Sequence, residues 1–309
     1  MNIIYLSPNF PPNNYQFIQG LKNLGVNVLG IGETPYEHLN HNIKDSLTEY
    51  YKVNSLEDYD QSLRAVGFFT HKYGKVDRIF SLNEYWLEKE ARLRTDFNVY
   101  GIKTDEIDNI RHKSRMKEKY KNAGINVAEG QIITGSEQAT AFIKKVGYPV
   151  IVKPDGGIGA VDTYEINDKK GLEDFFKRKN NYDYIIEEFI DGDLYSFDGI
   201  ADRDGKPVFY TSHFFNMGIM DAVNDRKDLF YYSLRDIPED IKDAGIRTLK
   251  AFNYREGFFH LEFFRVKKNK KIIALEVNMR PPGGLTTDMF NFANDINIYQ
   301  EWANVVVNN

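Results

Sequence analysis

Val150 to Val152 is an apolar run that leads into Lys153-Pro154-Asp155-Gly156-Gly157-Ile158-Gly159-Ala160. Glycines in a loop expose backbone N–H groups that can wrap phosphate oxygens, and a lysine one turn away adds positive charge. This is no Walker loop, because the lysine precedes the glycines and a strand-like stretch, Val161 to Ile166, follows where a helix is needed. Taken alone, the segment reads equally well as an ordinary glycine-containing hairpin.

A second constellation carries more. Phe258 to Val266 and Ile272 to Asn278 are apolar runs on either side of Lys267-Lys268-Asn269-Lys270-Lys271. A hairpin centred on Asn269 sets Glu262 opposite Glu276 and His260 opposite Asn278. Alternation then sends Leu261, Phe263, Leu275 and Val277 to one face, and His260, Glu262, Glu276, Asn278 and Arg280 to the other. Two carboxylates about 5 Å apart repel by roughly 3 kcal/mol at an effective dielectric near 20, so the pair calls for a cation. Magnesium suits it, taking carboxylate and amide oxygens and filling its shell with water and nucleotide phosphates. Two solvated glutamates, or a bulge that breaks the register, make the other reading. The basic turn itself reads as a solvated hairpin tip.

A third feature, Tyr184-Ile185-Ile186-Glu187-Glu188-Phe189-Ile190-Asp191-Gly192-Asp193, is an apolar strand running into acids and a turn, and is weak by itself. Other chemistries fall away. There is no cysteine, which removes disulfides, thiolate metal sites and cysteine nucleophiles together. The histidines show no metal-ligand spacing beyond the short His38/His41 pair, Asp202-Arg203-Asp204-Gly205 is a hairpin turn, and no Gly-x-Ser-x-Gly elbow occurs.

The elements that must carry these residues begin with a β-α-β unit: a strand at Ile3 to Leu6, a helix from Asn14 to Leu24 stopped by Gly25, and a strand at Val26 to Ile31. A helix at Leu56 to Tyr73, a strand at Val76 to Leu82 and a helix at Glu84 to Phe97 continue it, which predicts a doubly wound parallel sheet. Its first turn, Ser7 to Asn14, lacks the glycine fingerprint of a dinucleotide site. A lysine-rich helix from His112 to Asn122 opens a second region, and a third, strand-rich region closes with a helix from Thr287 to Val307. With 309 residues, a net charge of -5 and no basic stripe, the chain has room for more than one core and little to attract nucleic acid. No apolar run is long enough to span a membrane. A cytoplasmic protein is the expectation.

In this order the pieces resemble the ATP-grasp superfamily, in particular its carbamoyl phosphate synthetase large-subunit-like and carboxylate-amine ligase-like members. The resemblance rests on Val152-Lys153-Pro154 with its glycine loop, Glu187-Glu188-Phe189-Ile190, and Glu276-Val277-Asn278-Met279-Arg280-Pro281, and covers the whole chain. It implies an α/β fold turning α+β in the C-terminal part: a Rossmann-like pre-ATP-grasp domain over 1–105, a small lid subdomain over 106–188 and a C-terminal subdomain with the metal carboxylates over 189–309.

It also implies roles. Lys113 and Lys153 contact ATP phosphates, and the loop Gly156, Gly157, Ile158, Gly159, Ala160 closes over them. Lys113 alone would be called a solvated helix lysine. Glu187, Glu188, Phe189 and Ile190 form the hinge that reads adenine, with the Glu187 carboxylate at the base edge. Leu194 stands where the family often has a ribose-binding glutamate, so Asp193 or Asp198 substitutes, and His112 stands where an aspartate commonly precedes the first lysine. Glu262, Glu276 and Asn278 hold magnesium, with manganese an alternative, while Arg280 and Lys153 act on the transferred phosphate. The chemistry implied is ADP-forming ligation of a small-molecule carboxylate to an amine through an acyl phosphate, with Asn83, Glu84, His213, Asn216, Arg226 and Arg235 as substrate candidates. The alternatives are bicarbonate or carbamate phosphorylation and a nucleotide-binding module without catalysis. A nicotinamide oxidoreductase is the fallback of another class. A homodimer is compatible with the resemblance.

Overall fold

A computed structural model describes residues 1–157, 161–216, 228 and 230–308. Residues 3 to 6 are wholly buried, as a strand covered on both faces requires. They form β1 (Asn2–Leu6), which lies between β2 (Asn27–Gly32) and β4 (Arg78–Phe80), with β3 (Glu49–Lys52) outside β2, all parallel. The strand order reverses between β1 and β4, so a crevice opens beyond their carboxyl ends, where such sheets bind ligands. Helices α1 (Asn14–Asn23), α2 (His41–Ser46) and α3 (Tyr59–Tyr73) connect these strands, and α4 (Leu87–Asp96) follows the last. Helix α3 starts later than its periodicity predicts because Asp58 caps it, accepting from the Asp60 N–H. The stretch foreseen as one helix from Glu84 begins instead as a 3-10 turn, Glu84–Trp86, capped by Asn83.

Two further helices, α5 (Thr104–Arg111) and α6 (Lys113–Asn122), lead to a second, antiparallel sheet in the order β5-β8-β6-β7. Its strands are β5 (Gly130–Ile133), β6 (Val150–Pro154), β7 (Tyr164–Ile166) and β8 (Tyr184–Glu188), and α7 (Ser136–Val146) and α8 (Lys169–Arg178) cover its apolar face.

The third sheet has the path β12-β11-β9-β13-β14, with β10 also paired to β9. It is made of β9 (Gly192–Ala201), β10 (Pro207–Thr211), β11 (His213–Phe215), β12 (Tyr231–Ser233), β13 (Gly257–Val266) and β14 (Ile272–Asn278). Met116 and Tyr120 of α6 join Phe197, Phe259 and Phe263 in its core. Helix α9 (Glu239–Ala251) packs on β9 so closely that a Cβ on Gly245 would lie 2.2 Å from Phe197 Cδ1. Gly245→Ala should therefore lower the free energy of unfolding by about 2 kcal/mol in a urea titration, overpacking outweighing the gain of about 1 kcal/mol in helix propensity.

The closing helix foreseen from Thr287 to Val307 is two, α10 (Thr286–Asn294) and α11 (Ile298–Asn308). Asp295 adopts the left-handed conformation at φ 51° and ψ 49°, and the backbone turns there. Helix α11 returns to the first sheet, where the Trp302 ring meets Phe17 at 5.3 Å and Phe80 at 5.1 Å. Among the described residues no helix is long and apolar enough to cross a membrane.

Candidate active site

The second and third sheets face each other across a cavity of about 480 Å³ lined by β8, the residues after it, β13 and β14. Ile151, Phe189, Ile190, Leu194, Phe264 and Leu275 give it apolar walls, of the kind between which a planar base fits. The hairpin has the expected register at its site end, with Glu262 paired to Glu276 and His260 to Asn278. It slips one residue further along, so Phe263 pairs with Ala274. Leu275, foreseen on the core face, is thereby turned to the cavity wall, and Ala274 takes its place in the core.

Three buried charges meet at this cavity. Lys153 on β6 and Lys117 on α6 each reach Glu187 on β8 at 2.8 Å, one per carboxylate oxygen, and Lys117 also donates to the Ala128 carbonyl at 2.9 Å. Burial pushes the Glu187 carboxyl up, but the two lysines outweigh it and hold its pKa at about 2. Burial pulls both lysines down; for Lys117 it dominates, whereas Glu187, with Glu276 and Glu262 behind it, holds Lys153 above its ordinary value. The sequence places the Glu187 carboxylate against a base edge, yet both its oxygens are taken by lysines. Glu188, Phe189 and Ile190, which follow it, line the cavity wall.

Asp155 ties the glycine loop to α6. Its side chain accepts from the Ser114 N–H at 2.7 Å and the Ser114 hydroxyl at 2.9 Å, and lies 3.2 Å from His112 Nδ1. A carboxylate there satisfies the open N–H groups of a helix start and so fixes Lys113 relative to Lys153. Gly156 bridges to His112, and Gly157 follows it out of β6. Ile158, Gly159 and Ala160 lie outside the described residues, as does Arg226.

In the same cavity, Lys113 Nζ is 3.7 Å from Glu276 Oε1, and His260 Nε2 is 3.3 Å from Glu262 Oε1. Burial raises the Glu276 pKa; Lys113 opposes this, and the charges of Glu262 and Glu84 add to it. Asn278 lies beside them and accepts weakly from Arg280 Nη2 at 3.4 Å. Among the described residues no group of three or more His, Cys, Asp or Glu side chains has metal-holding geometry. The set here is two carboxylates and an amide, all oxygen donors, with like charges facing each other. Such a set fits magnesium, which needs few protein ligands.

Arg280 is held by Glu84, Nε at 3.1 Å and Nη2 by a shorter bond, and donates to the Pro281 carbonyl at 2.9 Å. Glu84 and Asn83 sit at the carboxyl end of β4, at the crevice where the first sheet reverses.

The remaining candidates divide. Asp193 lines the cavity and Asn216 lines it too, its side chain bonded to Phe230 N and Asp228 O. Asp198 is wholly buried and bonded to two histidines, so it is not free to meet a ribose. His213, equally buried, is one of those histidines and does not line this cavity. Arg235 is exposed and lines none of this cavity. Lys117 and Asp155 have no sequence signal that separates them from a lysine-rich helix and a loop acid. The alternation His260-x-Glu262 is the one visible hint of the buried network behind the carboxylates.

Residues 146–288 match the sequence pattern of the ATP-grasp domain. Over 307 residues the chain is 26% identical to the L-arginine-specific L-amino acid ligase of Bacillus subtilis, an alignment covering 96% of this chain and 73% of that one. It is 23% identical over 194 residues to the carbamoyl phosphate synthase large chain of Clostridium acetobutylicum, 59% of this chain but 17% of that much longer protein. Among solved structures, an L-amino acid ligase from Bacillus licheniformis superposes with a TM-score of 0.76 over 99% of this chain and 74% of its own, at 18% identity. That likeness is one of fold.

Proposed function

We propose that this chain, which carries an ATP-grasp domain over residues 146–288, is an ATP-dependent, ADP-forming ligase that joins the carboxyl group of an amino acid to an amine. The observation that carries this reading is a set of polar groups lining one cavity, Lys117, Lys153 and Glu187 with Glu262, Glu276, Asn278 and Arg280, the last paired to Glu84 behind it. Adenine lies against the apolar walls at Phe189 and Leu275, and the triphosphate runs past Lys153 and Lys113 toward the acid pair. Glu262, Glu276 and Asn278 hold magnesium or manganese, which when bound draws charge from the phosphate oxygens.

A substrate carboxylate oxygen attacks the γ-phosphorus, the bond to the bridging oxygen breaks, and ADP leaves with that electron pair. Arg280 stabilises the charge on the transferred group. The neutral amine then attacks the acyl carbon, and inorganic phosphate leaves with the C–O electron pair and takes up the amine's proton, giving the amide. Lys113 and Lys153 neutralise phosphate oxygens in place of water.

The substrate class follows from Arg280 and Glu84. A guanidinium and a carboxylate side by side complement an α-amino acid, carboxylate to Arg280 and ammonium to Glu84. Glu84→Gln should reduce kcat/KM for amino acids about 10- to 100-fold, the worth of a charged hydrogen bond of roughly 1.5–3 kcal/mol. The matching 2-hydroxy acids should lose far less. Equal losses on both would remove Glu84 from amine recognition.

Small-molecule substrates, a cytoplasmic location and a homodimer belong to the same reading. It is tested by ADP and phosphate release from magnesium ATP over a panel of amino acids with and without amines. Release stimulated by bicarbonate alone would favour the carbamoyl phosphate reading, which the similarity to carbamoyl phosphate synthase over 59% of this chain keeps in view. Nucleotide binding without release under any condition would defeat both.

A further inference from the structure

Strands β9, β13 and β14 lie side by side, and their register puts Asp198, His260 and Asn278 in one row and Ser196, Glu262 and Glu276 in another row two residues along β13. Asp198 is 0% exposed, yet both its oxygens are committed. Oδ1 meets His260 Nδ1 at 2.5 Å; Oδ2 meets His213 Nδ1 at 2.8 Å and accepts from the Ser196 hydroxyl. The other nitrogen of His213 is 3.0 Å from the Ser233 hydroxyl, and its ring stacks on Phe290 at 5.5 Å. This buried aspartate is fixed from one side by β11, β12 and α10, and on the other side it grips His260.

With Nδ1 gripped, the imidazole has one remaining polar atom, Nε2, and it points at Glu262 Oε1, 3.3 Å away. A carboxylate side chain rotates freely about its last bond unless something holds one oxygen. Here His260 lies against Oε1, and Glu276 is the cross-strand neighbour of Glu262. A buried charge that only filled space would be replaced at little cost by an apolar side chain. Asp198 is instead the anchor of a chain of contacts that ends on a proposed metal oxygen.

We propose that Asp198 and His260 are positioning residues that orient the Glu262 carboxylate for metal binding. The inference rests on the magnesium assignment made above. Outer partners of this kind commonly change metal affinity about 10- to 100-fold when lost.

The test is direct titration of Mn2+ into the full chain with ADP present, followed by electron paramagnetic resonance of the free ion, beside a thermal melt of each protein. Asp198→Asn and His260→Leu should each weaken Mn2+ binding at least about tenfold and raise the KM for Mg2+. His260→Gln, which can still donate to Glu262, should recover part of the loss. A purely structural cluster would lower the melting point without moving Mn2+ affinity, and that result for His260→Leu overturns the proposal. If Asp198→Asn does not fold, the comparison of His260→Leu with His260→Gln carries the test. Wild-type protein that binds ADP but no Mn2+ removes the metal assignment itself, and this proposal with it; binding that is normal in every variant removes only the proposal.

Discussion

Glu276→Gln should abolish magnesium-dependent turnover while leaving the metal-free protein as stable as the wild type or more so. Losing one of two carboxylates opposite each other removes half the charge that draws the metal, and a fall in kcat of about 10³-fold is the scale expected when a main source of transition-state charge stabilisation is lost. The stability effect has the opposite sign. Burial, together with the charges of Glu262 and Glu84, holds the Glu276 pKa above its ordinary 4.5, against the pull of Lys113. Its ionised form is thus disfavoured in the folded chain, so metal-free protein loses stability as pH rises through the folded pKa and recovers it toward pH 4.5. Glutamine mimics the neutral form and should erase that dependence. Calorimetry in EDTA at neutral and mildly acid pH, run beside an ADP-release assay, reads both effects. Turnover within tenfold of wild type would place the metal elsewhere.

Glu187→Gln should do the reverse, costing stability first. Lys117 and Lys153 would remain buried without their shared counterion, and breaking a buried pair by removing one partner costs about 3–5 kcal/mol. The pH dependence identifies the cause. The Glu187 pKa is depressed from 4.5 to about 2, so its contribution is complete above pH 4.5 and disappears as pH falls to about 2. That shift corresponds to roughly 3 kcal/mol. Urea titrations from pH 6 down should show the wild type losing this increment while the variant, already without it, declines less steeply. Asp198, also held at about 2, titrates in both proteins and sets the slope that remains. Parallel acid limbs would mean that the lysines are not neutralised by Glu187.

Much of this site is legible in the sequence because it lies on a hairpin. A hairpin centred on Asn269 names the pair Glu262 and Glu276, but the turn itself registers one residue short of that, Arg265 against Ile272, and the bulge at Leu275 makes up the difference before the site is reached. The same arithmetic cannot see the bulge that turns Leu275 outward, because that depends on how Ala274 and Phe263 fill the core beneath. The parallel opening sheet is legible from its buried apolar strands, but β3, which reads Glu-Tyr-Tyr-Lys and is only half-buried at an edge, is not. The break at Asp295 is a single residue in a left-handed conformation that helical periodicity does not register.

The electrostatic partners were hidden for a different reason. Lys117 pairs with Glu187 and Asp198 with His260, residues 62 positions apart in the latter case, and only the packing of α6 against β5, the neighbour of β8, and of β9 against β13 brings them together. Phosphate-facing lysines are recognisable by neighbouring motif residues. A lysine whose partner arrives from another sheet looks like any other on a solvated helix.

Trp302 has a consequence for how the chain is made. It is fully buried among Phe17 and Phe80, so the sheet formed by the first residues is roofed by a helix some two hundred residues downstream. At about 5–20 residues per second, a ribosome takes roughly 10–40 s to span that distance. Throughout that interval Phe17 and Phe80 lack the ring that covers them, until α11 emerges.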